Sequence, residues 1–166
     1  MTGPVLRLER RALADLPPLA SLTDIEQLFL TGTPLADVSA LAGLTGLRVL
    51  SLKLTRITDI APLARLTGLR SLILSFTSVQ DIRPLAQLTA LESLYLTGTL
   101  VQDIRPLAGL KRLIRLDLGG SAVEDLAPLS GLHTLESLQL SSTRVTDLAP
   151  LRHLSRLRVL ELSDTA

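Results

Sequence analysis

Cysteine is absent from this 166-residue sequence, so neither a disulfide framework nor a thiolate metal site is open to it. Tryptophan is absent as well, and Phe29, Phe76 and Tyr95 are the only aromatic residues. Any core must therefore be aliphatic. No apolar run nears the ~18 residues that a membrane-spanning helix needs, which argues against membrane insertion. Neither sign of charge dominates. Seventeen basic residues against 16 acidic leave a formal net charge of +1, with no global pull towards nucleic acid or anionic membranes. The opening segment carries Arg7, Glu9, Arg10 and Arg11 where a secretory signal would be apolar. With the lack of cysteine, that favours a cytoplasmic location. No glycine-rich phosphate loop follows a strand-like segment. His133 and His153 fall at unrelated positions of neighbouring repeats, with no serine or acid placed for a triad. A non-catalytic protein without a cofactor is expected.

What the chain has instead is a 22-residue period. Ile25, Leu47, Leu69, Leu91, Leu113, Leu135 and Leu157 open equivalent blocks. A fixed period of this length means a stacked solenoid with one structural unit per repeat. Two leucine columns follow in each block, for example Leu72 and Leu74, or Leu94 and Leu96. They are two residues apart, which is strand spacing, so both point to one face and the residue between them to the other. Three residues on comes threonine, at Thr33, Thr55, Thr77, Thr99, Thr143 and Thr165, with Ser121 standing in. An aliphatic column then precedes aspartate at Asp37, Asp59, Asp81, Asp103, Asp125 and Asp147. The block closes on Pro-Leu-Ala-x-x-Leu character, as in Pro62-Leu63-Ala64-Arg65-Leu66. Proline there suits the first turn of a short helix, where its missing N–H costs nothing. So few residues per coil allow about one turn, of 3₁₀ type.

One such coil cannot fold alone, because its few apolar side chains do not offset the entropy of ordering 22 residues. Successive coils must stack, their strands pairing in parallel about 4.8 Å apart. Strands on one side and thin turns on the other curve the rod, with the strands on its concave face. The division is one solenoid domain over 1–166: an atypical first coil over 1–24, six regular repeats over 25–156 and an incomplete last repeat over 157–166. In the first coil Leu6, Leu8, Leu13, Asp15, Leu16, Pro18, Leu19 and Leu22 keep the register, while Arg11 replaces the threonine. End units are commonly atypical, having one neighbour only.

Both polar columns have a structural reading. Threonine in a tight turn satisfies backbone groups the coil leaves unpaired, and aspartate accepts from the N–H two residues on. Stacked aspartates would also lie about 5 Å apart, a spacing that suits shared cations. Each is flanked by apolar residues and lacks a second acid, so turn formation is the expected role.

Together these columns resemble those of leucine-rich repeat proteins. The spacing LxxLxLxxT followed by D-[IL]-x-P-L is similar to the short 22-residue subclass, which includes the phosphatase-regulatory members and the bacterial internalins. The wording of Thr31-Gly32-Thr33 and of Pro106-Leu107-Ala108-Gly109-Leu110 is similar to that of bacterial members. Most relatives carry asparagine where this chain has Thr33 and its equivalents. The resemblance implies an α/β solenoid, a right-handed parallel-β curved rod of about seven and a half coils with 3₁₀ turns on its convex side. It also implies binding of other proteins. Relatives serve as adhesins, effector modules, phosphatase regulators, and interaction domains attached to GTPases, ligases and immune ATPases.

In a solenoid the frame columns are fixed and the free columns carry identity. The column between the strand leucines is Arg7, Phe29, Ser51, Ile73, Tyr95, Asp117, Gln139 and Glu161. It runs from basic through apolar to acidic. Exposed aromatics beside charged residues are a recurrent hot-spot composition. With neighbours from the preceding column, the expected partner-binding patch is Phe29, Val49, Ile73, Tyr95, Arg115, Asp117 and Gln139. Cross-strand pairs such as Ile73 and Tyr95 also stabilise a sheet without any ligand. Arg115 and Asp117, on one strand and one face, are expected to be able to pair. Leu54 and Phe76, just past their strands, are expected to pack locally under the coil. Arg152, His153, Arg156 and Arg158 cluster near the C-terminus, but without interleaved aromatics they are a weak sign of nucleic-acid binding. A protein partner is expected. The alternatives are an assembly role, in which the uncapped strand around Leu160 and Leu162 drives self-association, and a regulatory repeat domain of a larger signalling, effector or enzyme protein.

Overall fold

A computed structural model describes residues 3–9 and 22–165. The residues of the atypical first coil from Leu13 to Leu19 lie outside that range, as does Arg11.

Among the described residues eight strands form one open parallel sheet in strict sequence order. They are β1 (Val5–Arg7), β2 (Gln27–Phe29), β3 (Val49–Ser51), β4 (Ser71–Ile73), β5 (Ser93–Tyr95), β6 (Arg115–Asp117), β7 (Ser137–Gln139) and β8 (Val159–Glu161). Every pairing joins residues 22 apart: Leu28 to Leu50, Leu50 to Leu72, Leu72 to Leu94. The sequence period and the sheet register are thus the same quantity. Beyond the strands the ladder continues, with Leu52 N–H donating to Ile73 C=O (2.8 Å) and Leu54 N–H to Ser75 C=O (3.0 Å).

The convex side holds 3₁₀ segments at Ser39–Leu41, Ala61–Arg65, Arg83–Gln87, Arg105–Gly109, Ala127–Leu129 and Ala149–His153. Five of the six carry proline in the first turn, as its fixed φ and missing N–H favour. Between the two sides the aliphatic columns form one continuous core. In the coil from Leu69, the side chains of Leu69, Leu72, Leu74, Val79, Ile82, Leu85 and Leu88 are all buried. At the C-terminal end the same columns open to solvent. Leu148 is 38% exposed where Ile82 is 1%, and Leu160 is 38% exposed where Leu72 is 0%.

The polar columns close the coil corners as the sequence suggests. Thr33, Thr55, Thr77, Thr99 and Thr143 are buried, and each hydroxyl donates to the leucine carbonyl three residues back at 2.6–2.8 Å. The side chains of Asp37, Asp59, Asp81, Asp103, Asp125 and Asp147 each accept the N–H two residues on, at 2.8–2.9 Å. These bonds answer the question of where the corner's backbone donors and acceptors go. Ser121 breaks the threonine pattern: its hydroxyl is buried and has no partner.

Asp81 and Asp103 are held further by the arginine two residues on, whose Nε and Nη2 grip both carboxylate oxygens. The Arg105 side chain, followed by the Arg105 backbone N–H, lowers the Asp103 carboxyl to about 2. Asp81 is lowered in the same sense by Arg83, and Asp37 by the Ser39 backbone and hydroxyl. A carboxylate depressed in the fold stabilises it fully above its unfolded pKa, near 4, and loses that contribution as pH falls towards 2.

Two outcomes are expected. Ser121→Thr, whose β-branched side chain favours the rotamer that bonds the carbonyl three residues back in the other copies, should raise stability by about 1 kcal/mol, read as a later urea midpoint with unchanged slope; an earlier midpoint would contradict the corner assignment. Arg105→Ala should move the Asp103 titration upward from about 2, followed by NMR of its side-chain carboxyl carbon. A midpoint that stays put would show that the arginine does not hold the carboxylate.

Candidate partner-binding face

Alternation about the buried leucines puts residues on either side of each onto the outer face of the sheet. Leu72 is fully buried, while Ser71 and Ile73 are half-buried; Leu94 is fully buried, while Tyr95 is half-buried. Register then assembles two rows. Ile73 lies beside Tyr95, Tyr95 beside Asp117, and Asp117 beside Gln139. These four form an unbroken line across coils. Phe29 belongs to the same row but is separated from Ile73 by Ser51, which is buried and shares a 2.9 Å hydroxyl–hydroxyl hydrogen bond with Thr31. Val49 and Arg115 sit in the parallel row, Val49 between Gln27 and Ser71, Arg115 between Ser93 and Ser137. The candidate residues therefore share one face, with an apolar-to-polar line at its centre and Phe29 as an outlier. The Arg7 guanidinium stands 4.1 Å over the Phe29 ring, a cation–π contact.

The polar members are anchored locally. One Asp117 carboxylate oxygen accepts Gly119 N–H at 3.0 Å, and the Gln139 side-chain oxygen accepts Ser141 N–H at 2.7 Å. Among the described residues no ion pair joins Arg115 to Asp117. The carboxylate turns towards the coil corner instead, where a backbone donor two residues away is already in place.

Leu54 and Phe76 do not pack under the coil. They are 53% and 51% exposed, on the rim just past β3 and β4. The reason is backbone conformation. Both have φ +58°, in one column with Gly32, Gly98, Gly120, Ser142 and Asp164, all at φ between +56° and +70°. The column is the third position of a turn in which the fourth residue donates back to the first, as Thr99 N–H does to Leu96 C=O. That position requires positive φ and so favours glycine. Leucine and phenylalanine there are held against their own preference and face outward. Glycine at three copies of the column was the available signal. The Lys53 ammonium lies 5.7 Å from the Phe76 ring.

Among the described residues no three His, Asp or Glu side chains converge as a metal site, and no helix is long and apolar enough to cross a membrane. His153 accepts from Arg152 Nε at 2.9 Å on the convex side. What the face offers is area, shape and a graded surface.

Known proteins bear on the reading in two ways. The family model for leucine-rich repeats (two copies) matches residues 67–109. The crystal structure of internalin C2 from Listeria monocytogenes superposes with a TM-score of 0.92 at 38% identity, covering 96% of this chain and 70% of that one. A second Listeria monocytogenes internalin (inlF) gives 0.74 at 33% identity, covering 92% of this chain and 52% of that one. A leucine-rich repeat protein from Leptospira interrogans shares the fold, with a TM-score of 0.91 at 24% identity over 96% of this chain and 43% of its own. No curated protein matches the chain.

Proposed function

From the fact that this chain belongs to the internalin-type leucine-rich repeat proteins, which are generally protein-interaction modules, we propose that it is a non-catalytic scaffold binding a protein partner on its concave β-face. The observation that carries the proposal is the line Ile73–Tyr95–Asp117–Gln139. The frame columns are spent on core and corners. Within it Ile73 and Tyr95 serve neither duty, yet they place an aliphatic and an aromatic side chain in contact with solvent. A half-buried tyrosine presents a rigid apolar body and a polar tip, the composition of an interface anchor. Phe29 and Val49 extend the apolar area, and Arg115 offers a charge at its border.

A second reading is favoured by the C-terminal edge. Val159 and Leu160 are 45% and 38% exposed, and β8 has a neighbour on one side only. Such an edge accepts another strand or coil, from a second copy or from further chain in a larger regulatory protein.

The test is affinity capture with this chain as bait, quantified against Ile73→Ala and Tyr95→Ala. Loss of a true hot spot costs about 2 kcal/mol or more, roughly 30-fold in affinity. The expected outcome is loss of the captured protein by both variants, with an unchanged far-UV spectrum. Capture that survives both would exclude this face. Light scattering of the same bait reports on the edge: a monomer at every concentration would exclude self-association.

A further inference from the structure

At the rim of the concave face, where β5, β6 and β7 end, lies a recess of about 310 Å³. Phe76 walls one side, Asp117 and Gln139 border it towards the sheet, and Gly98, Gly119 and Gly120 are among its lining residues. The recess exists because a bulky residue in the positive-φ column is followed by two coils of glycine. A Cβ on Gly98 would lie 2.7 Å from the Phe76 ring, so the ring can rest there only over glycine. At this size the recess is at the lower limit of small-ligand sites, and it is open to solvent. It suits one side chain reaching in from a larger partner.

Its chemistry selects the sign of that side chain. Five backbone donors around it are spent. Gly98 N–H donates to Gly119 C=O, Gly120 N–H to Ser141 C=O, and Ser142 N–H to Ser163 C=O, each at 2.8 Å. Gly119 N–H is taken by Asp117, and Ser141 N–H by Gln139. An anion would find no free amide among these five. A cation would find the second oxygen of Asp117, the only charged group lining the recess, and the ring of Phe76. Aromatic faces attract cations, and a guanidinium both stacks on a ring and pairs with a carboxylate. The Lys53 ammonium lies 5.7 Å from the Phe76 ring and does not line the recess.

We propose that the recess between Phe76 and Asp117 is a socket for one basic side chain, arginine in preference, of the protein partner seated on the concave face. The socket deepens the reading of that face and rests on it. It gives the partner a chemistry: an exposed arginine flanked by apolar residues that reach Tyr95 and Ile73.

The test needs no partner. N-acetyl-arginine amide is titrated into the ¹⁵N-labelled chain, with N-acetyl-citrulline amide as the neutral isostere. Expected are saturable shifts of the Gly98, Gly119 and Gly120 amide signals with the arginine compound, at least tenfold weaker with citrulline. Asp117→Asn keeps an acceptor for Gly119 N–H and removes the charge; it should abolish the shifts. Phe76→Gly removes the wall and relieves its positive φ, so it should melt later than wild type while binding at least threefold more weakly. Equal shifts with citrulline, or shifts unaffected by Asp117→Asn, would overturn the socket. Neither result touches the Tyr95 and Ile73 capture experiment, so the two proposals fail separately.

Discussion

A leucine in this chain is buried by the coils on either side of it, and that mutual cover is what the rest depends on. Leu50, Leu72, Leu94 and Leu138 are fully buried with a neighbour above and below; Leu160, with one neighbour, is 38% exposed. The same displacement of 22 residues sets the sheet register. A coil that slipped by one residue would turn its leucines out to the concave face and its polar residues in. Apolar burial and parallel hydrogen bonding therefore enforce the same register, and neither is available to a coil alone.

This constraint divides the side chains by duty. Aliphatic columns fill the core. Threonine and aspartate close the corners by hydrogen bonds to groups the coil cannot pair otherwise. Each corner aspartate is engaged with its own backbone, and Asp81 and Asp103 are also gripped by arginine. An acidic column that spacing alone would allow as a cation ladder is thus already committed. The columns outside these duties are the concave rows and the rim, and any specificity must be written there.

How much of this was legible in the sequence follows the same division. Periodicity reports which face a residue occupies, so the leucine columns, the parallel register and the shared face of Ile73, Tyr95, Asp117 and Gln139 were readable from spacing alone. The aspartate corners were readable too, because the acceptor and the N–H two residues on are local partners. Backbone φ is legible only through glycine. Gly32, Gly98 and Gly120 mark the positive-φ column, but Leu54 and Phe76 carry no such mark, and an apolar residue beside a strand reads as core. The local bond from Gly119 to Asp117 was hidden for a different reason. Charge pairing with Arg115 and capping of a backbone N–H compete for the same carboxylate, and composition does not say which is closer.

The Phe76 position brings these threads to one point. A left-handed conformation costs an L-residue roughly 1–2 kcal/mol, and Leu54 and Phe76 each bear it in adjacent coils. Against the 5–15 kcal/mol by which a folded domain is stable, that is a substantial sacrifice. Core packing does not repay it, because both side chains are more than half exposed. Glycine, used at Gly32, Gly98 and Gly120, meets the same turn without the cost. The fold therefore gives no reason for a phenylalanine here. An outlier of this kind, exposed and bulky in a strained conformation, is the pattern expected where strain persists for function. Its ring borders a glycine-lined hollow on the rim, beside Asp117. The position that stability argues against is the one that shapes the surface.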